Sequence, residues 1–209
     1  PSVSSEGIAR GVDAQLHERL NEFAEQGDVA NAKLWFAQIE RDASRRNVPL
    51  ERFHYNTLLK SAANGGDVAY AKEVFQIMKS KNIKPSQRTY GKLIEACAKG
   101  RQPLVAEEFY EEWRQMVEKE HASGRQSPYA SGRGLTDEDN KSCLTNKDDG
   151  RHIHIATLID GYAKVGDVKS AEYWGSQLIR YVHSSIVSPK QMVQGLGALL
   201  WGLANAGRV

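Results

Sequence analysis

Tyr55-Asn-Thr-Leu-Leu-Lys-Ser-Ala-Ala-Asn-Gly-Gly-Asp-Val-Ala-Tyr-Ala71, continued by Lys-Glu-Val-Phe75-Gln-Ile-Met78, is the stretch that decides the fold. Leu58, Leu59 and Ala62 recur at helical spacing before the glycines, and Val68, Ala71, Val74, Phe75 and Met78 do so after them. The spacing predicts two helices, a first from roughly Tyr55 to Asn64 and a second from Val68 to about Ser80, with a turn at Gly65-Gly66. Glycine supplies the left-handed residue that ends the first helix, and Asp67 is placed to cap the start of the second. Such a hairpin has an apolar face that it cannot bury alone, so it calls for a neighbour of the same kind.

The neighbours are present in the sequence. Tyr90-Gly-Lys-Leu-Ile-Glu-Ala-Cys-Ala-Lys starts 35 residues after Tyr55, and Ala106 follows Ala71 by the same 35. A Gly-Asp-Val mark stands at Gly27-Asp28-Val29, Gly66-Asp67-Val68 and Gly166-Asp167-Val168, with Gly207-Arg208-Val209 as a fourth variant. Ala32, Ala71 and Ala171 follow it at one offset, and Ala106 keeps that register in the copy that lacks the Gly. An irregular bundle with accidental similarity has no reason to keep Gly, Asp, Val and Ala in register. The expected fold is therefore all-α, a right-handed α-solenoid of about four and a half stacked helix-turn-helix repeats. The repeats are expected near 13–51, 52–86, 87–118, 152–190 and 193–209, after an N-terminal extension at 1–12.

The period is uneven: Ala32 to Ala71 is 39 residues, Ala106 to Ala171 is 65, and Gly166 to Gly207 is 41. The largest insertion, about 30 residues near Lys119 to Gly150, is rich in Gly, Ser, Asp, Asn and Lys and poor in large apolar residues. It is expected to be a loop or a disordered excursion.

Composition bounds the function. With 40% hydrophobic and 26% charged residues, the 209-residue chain has the makings of a real core. No run approaches the roughly 18 consecutive apolar residues of a membrane span. The first residues, Pro1 to Gly11, lack both an initiating Met and a basic-then-apolar signal, so the chain is expected to be processed or trimmed. The half-repeat at its other end implies an array that continues past Val209. Cys97 and Cys143 sit in unlike surroundings and suggest no disulfide scaffold. A formal charge of +2 is far below what holding nucleic acid by charge alone would need, so any such role must rest on local arrangement.

No metal, cofactor or small-molecule substrate is expected. His121, Cys143, His152 and His154 fit no standard zinc spacing, and the last two, two residues apart, point to different helix faces. Asp137-Glu-Asp139-Asn140 breaks the calcium-loop pattern at Lys141 and Ser142. With no phosphate loop, nucleophile elbow or paired catalytic carboxylates, the chain reads as a binder and not an enzyme. Trp35, Trp113 and Trp174 fall in line with apolar positions and are assigned to the core, whereas Trp201 is left exposed where the array is cut. One feature stands apart: Lys79, Lys81, Lys84, Arg88 and Lys92 form a basic run with no acid between Glu73 and Glu95. It suits phosphate contact, and suits a solvated turn equally well.

The Tyr55-Asn56-Thr57-Leu58-Leu59 opening, the Met78-Lys-Ser-Lys-Asn-Ile-Lys-Pro85 ending and Thr157-Leu-Ile-Asp-Gly-Tyr-Ala-Lys-Val-Gly-Asp-Val168 closely resemble the pentatricopeptide repeat, from about Asp13 to Val209. The Trp-Leu-Gly-Tyr pattern of tetratricopeptide repeats, which share the length, is absent. The resemblance implies a mitochondrial or chloroplast protein that reads single-stranded RNA one base per repeat, in RNA processing, stability or translation. By the same resemblance, Asn56 paired with Ser86 would contact a base, in a combination like those that favour a pyrimidine. Phe53 and Arg88 would sandwich that base, and Lys81, Lys84 and Lys92 would meet phosphates. The matching positions elsewhere hold His17, Gly91 and Ala156, and the register near Gly197 is open; neither Gly nor Ala can read a base edge. The degenerate positions, near-neutral charge and long insertion open a second possibility. It is a protein-interaction scaffold or peripheral subunit of a large organellar assembly, such as a mitochondrial ribosome, using the same surfaces for protein contacts.

Overall fold

A computed structural model describes residues 14–122 and 150–184, together with single helical positions at 193, 197, 200, 201 and 204. Among the described residues the chain is helical, without strands. The helices are α1 (Ala14–Gln26), α2 (Val29–Arg46), α3 (Arg52–Gly65), α4 (Val68–Ser80), α5 (Gln87–Lys99), α6 (Pro103–Ala122), α7 (Arg151–Val165) and α8 (Val168–Ser184). They pair as four helical hairpins in two compact units, residues 1–85 and 86–209.

The turns show why these residues fold this way. Gly27, Gly66 and Gly166 all take left-handed backbone, with φ of 70°, 67° and 79°. The N–H of the following Asp then turns back onto the ending helix: Asp28 to the Phe23 carbonyl, Asp67 to Ala62, and Asp167 to Tyr162, at 3.0, 2.9 and 3.0 Å. The same Asp caps the next helix with its carboxylate, accepting from the backbone N–H of Asn31, Tyr70 and Ser170 at 3.0, 2.9 and 3.1 Å. One Gly-Asp pair thus satisfies orphan groups at two helix ends. The third hairpin solves the same turn differently. Gly100 is not left-handed, and Arg101 takes the position with a φ of 56°, while Gln102 donates its N–H to the Cys97 carbonyl at 2.9 Å. A non-Gly residue in left-handed backbone costs about 1–2 kcal/mol, so this turn carries local strain that its siblings avoid.

In the first unit α1 packs on both α2 and α3, and α3 on α2 and α4. Leu20, Ile39, Tyr55, Leu59, Phe75 and Met78 are fully buried there. Tight approach is built in where the backbone of Gly27 meets Gly65, since a Cβ on Gly65 would stand 2.8 Å from the Gly27 carbonyl oxygen. In the second unit α5 packs on α6 and α7, and α7 on α6 and α8. Trp113, Leu93, Ile94, Ile155, Leu158 and Ile159 are fully buried in it, and Cys97 lies among them. Gly161 permits the α5–α7 approach, because a Cβ there would meet Ala98 at 3.1 Å. Ala32, Ala71, Ala106 and Ala171, the residues whose register marked the repeats, are all buried. Burying each large side chain of these cores contributes roughly 1.5–3 kcal/mol relative to exposure.

Several expectations are refined. The first helix of the second hairpin begins at Arg52 and includes Gly65, so only Gly66 is the turn residue. Helix α6 runs to Ala122, past the expected start of the insertion at Lys119, and Gly150 caps α7. The rest of that insertion, with Cys143 and Asp137 to Ser142, lies outside the described residues, as do the His121 side chain and Gly207 to Val209. Trp113 and Trp174 are core residues and Trp201 is 53% exposed, while Trp35 is only half-buried, stacked on Phe23 at 6.4 Å. No described helix is long and apolar enough to cross a membrane.

Candidate nucleic-acid interface

The N-terminal end of α3 carries the strongest cluster of planar side chains in the first unit. Phe53, on the first turn, is 47% exposed, and Asn56 sits one turn further along, half-buried. The Phe53 ring rests on His54 at 3.7 Å between centroids, and its edge meets His17 of α1 at 5.1 Å. These contacts hold the phenyl ring so that one side stays open. The His17 imidazole is placed in turn by Thr57 Oγ1 at 3.2 Å. Burial lowers the pKa of His17, which keeps the ring neutral at pH 7.

His54 is a residue whose role is not visible at the level of motif. It is 3% exposed, and its Nδ1 accepts the Glu51 backbone N–H at 3.0 Å, completing a capping box at the start of α3. Burial lowers its pKa, against a smaller upward pull from the Glu51 carbonyl. The available signal was the spacing: Glu51 and His54 stand three residues apart just before an apolar run.

The basic residues divide between the units. In the first, Lys84 lies beside the α3 N-terminus, where its carbonyl oxygen accepts from Arg52 Nη1 at 3.5 Å, and its side chain is exposed. Lys81 is placed otherwise. Its ammonium pairs with Glu40 of α2 at 3.2 Å, and the Tyr55 phenol together with Glu40 raises its pKa. Lys79 lies over the Phe75 ring at 4.3 Å. In the second unit Arg88 is exposed on the first turn of α5, and Lys92 donates to Glu95 at 2.8 Å. Burial pushes the Glu95 carboxyl up, but hydrogen bonds from Lys92 and Lys99 outweigh it and hold the group below its ordinary range. A run of five cations without an intervening acid in sequence is thus, in space, a set in which Lys81 and Lys92 are charge-paired.

Ser86 caps α5. Its Oγ accepts the Thr89 N–H at 3.3 Å and lies 3.1 Å from Thr89 Oγ1, and the residue is 8% exposed. Its hydroxyl is committed to the helix start.

In the second unit the positions matching Phe53 and Asn56 look different. Gly91 faces α7, and a Cβ there would stand 3.2 Å from the His154 ring, which itself lies edge-on to Trp113 at 4.4 Å. Gly91 is small because a neighbouring imidazole needs the space. His152, also buried, lines a cleft of about 350 Å³ between α5 and α7, so the two histidines diverge. That cleft is bordered by Glu95, Lys99, Ile153, Ala156 and Asp160, a mixed lining with two carboxylates. Among the described residues no group of three His, Cys, Asp or Glu side chains is placed to hold a metal ion.

Comparison with known proteins agrees with this architecture. A pentatricopeptide repeat domain model matches residues 38–100, and a PPR repeat model matches 88–116 and 156–181, together half of the chain. The chain belongs to the pentatricopeptide-repeat family. No curated protein matches its sequence. Among solved structures it is similar to the PPR domain of Arabidopsis thaliana protein-only RNase P 1 in complex with tRNA. The identity is 16% and the TM-score 0.51, over 95% of this chain and 86% of that one. It also matches the pentatricopeptide repeat protein PPR10 in complex with an 18-nt psaJ RNA element, at 17% identity and a TM-score of 0.38, over 98% of this chain and 34% of that one. At such identities the first likeness speaks for the fold, and the second carries no further argument.

Proposed function

We propose that this chain binds single-stranded RNA through the exposed end of α3, with Phe53 stacking on a base and Asn56 contacting its edge. The observation that carries it is the Phe53 ring, 47% exposed at the start of a helix yet held from behind by His54 and His17. A soluble surface has little use for a fixed, open phenyl ring unless something flat is laid against it. An Asn amide offers both donor and acceptor, and Lys84 of the same unit presents an exposed ammonium suited to a phosphate. Family membership, and the tRNA seen on a domain of the same fold, support the choice of RNA. Lys81 and Lys92 contribute less, since carboxylates already partner them.

With one reading position the expected discrimination is small, because a single stacked or bidentate contact is worth about 1–3 kcal/mol. The role we infer is one of RNA processing, stability or translation in a mitochondrion or chloroplast, as a binding module and not a catalyst. A second reading, a scaffold in a larger organellar assembly, draws on one observation: the α5–α7 cleft has a mixed lining in which Glu95 is bonded to Lys99 and Asp160 to Lys164, and Ile153 and Ala156 stand where Phe53 and Asn56 do in the first unit.

Fluorescence anisotropy with pyrimidine-rich and purine-rich single-stranded RNA over a salt series tests the proposal, with Asn56→Ala and Lys84→Ala alongside. Binding that weakens in both variants, and loses base preference only in Asn56→Ala, is the expected result. No binding at modest salt would leave the scaffold.

A further inference from the structure

Away from the first-helix faces, the second unit holds a pocket that the RNA-reading proposal does not use. It is a cleft of about 520 Å³ between α6, the start of α7 and α8. Its wall on α8 presents Tyr173, 56% exposed, next to Trp174, with ring centroids 5.5 Å apart and planes at 77°. Trp174 is itself braced edge-on by Tyr110 at 5.1 Å. Cations surround it. Arg151 lies over the Tyr181 ring at 5.6 Å, and Arg180 is exposed with no carboxylate partner among the described residues. Arg114 is held by Glu111 and Glu118, each at 2.8 Å, and so adds little net charge.

The corresponding pocket of the first unit, between α2, the start of α3 and the end of α4, shows that this lining is not a by-product of the fold. It is of similar size, about 500 Å³, yet it holds Lys81 closed onto Glu40 with the apolar Val48, Leu50 and Ile83 around them. Where the first unit places Tyr55 and Lys81, the second places Ile155 and Tyr181. Guanidinium groups and an exposed aromatic ring belong to one pocket and not the other.

We infer that the α6–α7–α8 pocket binds a nucleotide unit, an aromatic base laid on Tyr173 with its phosphate met by Arg180. The volume falls within the roughly 300–1,000 Å³ of small-ligand sites. A Tyr ring stacks any base, and a guanidinium such as that of Arg180 recognises phosphate with two parallel N–H donors. The same chemistry serves a free nucleotide and one residue of a single-stranded RNA. This site stands apart from the α3 end, and either can exist without the other.

Isothermal titration calorimetry of the full chain with AMP, ribose 5-phosphate and an eight-nucleotide oligoadenylate, at low and moderate salt, provides the test. AMP is expected to bind and ribose 5-phosphate to bind more weakly, because it lacks the base. Tyr173→Ala and Arg180→Ala should each weaken AMP by about fivefold or more, and Tyr173→Phe should retain it. Both positions are exposed, and thermal melts of the variants establish that they remain folded. Oligoadenylate much tighter than AMP, with steep salt dependence, identifies RNA as the source; equal affinities identify a free nucleotide. Failure of AMP and oligoadenylate to bind, binding untouched by both substitutions, or preference for an acidic peptide over both ligands overturns the inference.

Discussion

The second and fourth hairpins can be laid on one another with a constant offset of one hundred residues, and the outcome separates what the fold requires from what it leaves open. Leu58 and Leu158, Leu59 and Ile159, Ala71 and Ala171, and Met78 and Leu178 are buried pair by pair. Gly66 with Asp67 and Gly166 with Asp167 make the same turn with the same cap. Even His54 and His154 match, each buried behind the opening of its helix. On the exposed face the correspondence ends: Phe53 becomes Ile153, Asn56 becomes Ala156 and Lys60 becomes Asp160. Packing and turn chemistry hold the repeat in place, while the outer face of the first helix is free to gain or lose a base contact. The fourth hairpin has Ile153 and Ala156 there and carries its aromatic and guanidinium groups in the α6–α7–α8 pocket.

The comparison is broken most readily in the core. Leu58→Ala and Leu158→Ala should destabilise their units by similar amounts, about 2–5 kcal/mol each, in urea melts followed by circular dichroism. A large effect at one and a negligible effect at the other would show that the repeats are not equivalent in packing. Next in size, Phe53→Ala should weaken RNA binding by about 1–3 kcal/mol, some fivefold to a hundredfold, while Ile153→Ala leaves it unchanged. Caps follow. Asp67→Ala and Asp167→Ala should each cost about 1 kcal/mol of stability, because each removes the acceptor for a helix-start N–H. The third hairpin sharpens the same point in reverse: Arg101→Gly, at a φ of 56°, should stabilise by about 0.5–1 kcal/mol despite the greater freedom of glycine in the unfolded chain.

The smallest expected effect concerns pH. Burial lowers the pKa of both His17 and His54, so the unfolded chain binds protons on acidification before the folded one does. Stability should therefore fall as pH drops below about 6.5, toward the depressed folded values, and be level above it. His54→Asn should flatten that dependence in melts recorded at several pH values. An unchanged slope would mean that the His54 imidazole is not held neutral.

Much of the fold was legible because repetition writes the same local rule several times. Gly-Asp-Val named the turns and the caps at once, and the Ala register picked out four buried positions. In the α5–α6 turn the 35-residue register puts Arg101 where Gly66 stands, and Arg101 takes the same left-handed backbone. The candidate site was only half legible. Phe53 and Asn56 could be located by register, but Lys81 meets Glu40 across 41 positions of sequence, and no local pattern announces such a pair. Lys92 with Glu95, three apart on one helix, could have been anticipated from spacing alone. Gly91 reads as a lost base contact in sequence and proves to be the space into which His154 fits. Likewise Tyr173, Trp174, Arg151 and Arg180 share a pocket: the Gly-Asp-Val mark announces that α8 folds back on α7, but not which side chains meet there.

The account rests most heavily on the claim that the face of α3, and not the repeat scaffold or general charge, is what holds RNA. The direct measurement exchanges that face between hairpins: Phe53→Ile with Asn56→Ala in one variant, Ile153→Phe with Ala156→Asn in another, each titrated with pyrimidine-rich single-stranded RNA by fluorescence anisotropy. The prediction is that the first variant loses most of the affinity while keeping the wild-type melting temperature, and that the second gains affinity. Undiminished binding in the first variant, at a salt concentration where the wild type binds, would contradict the claim.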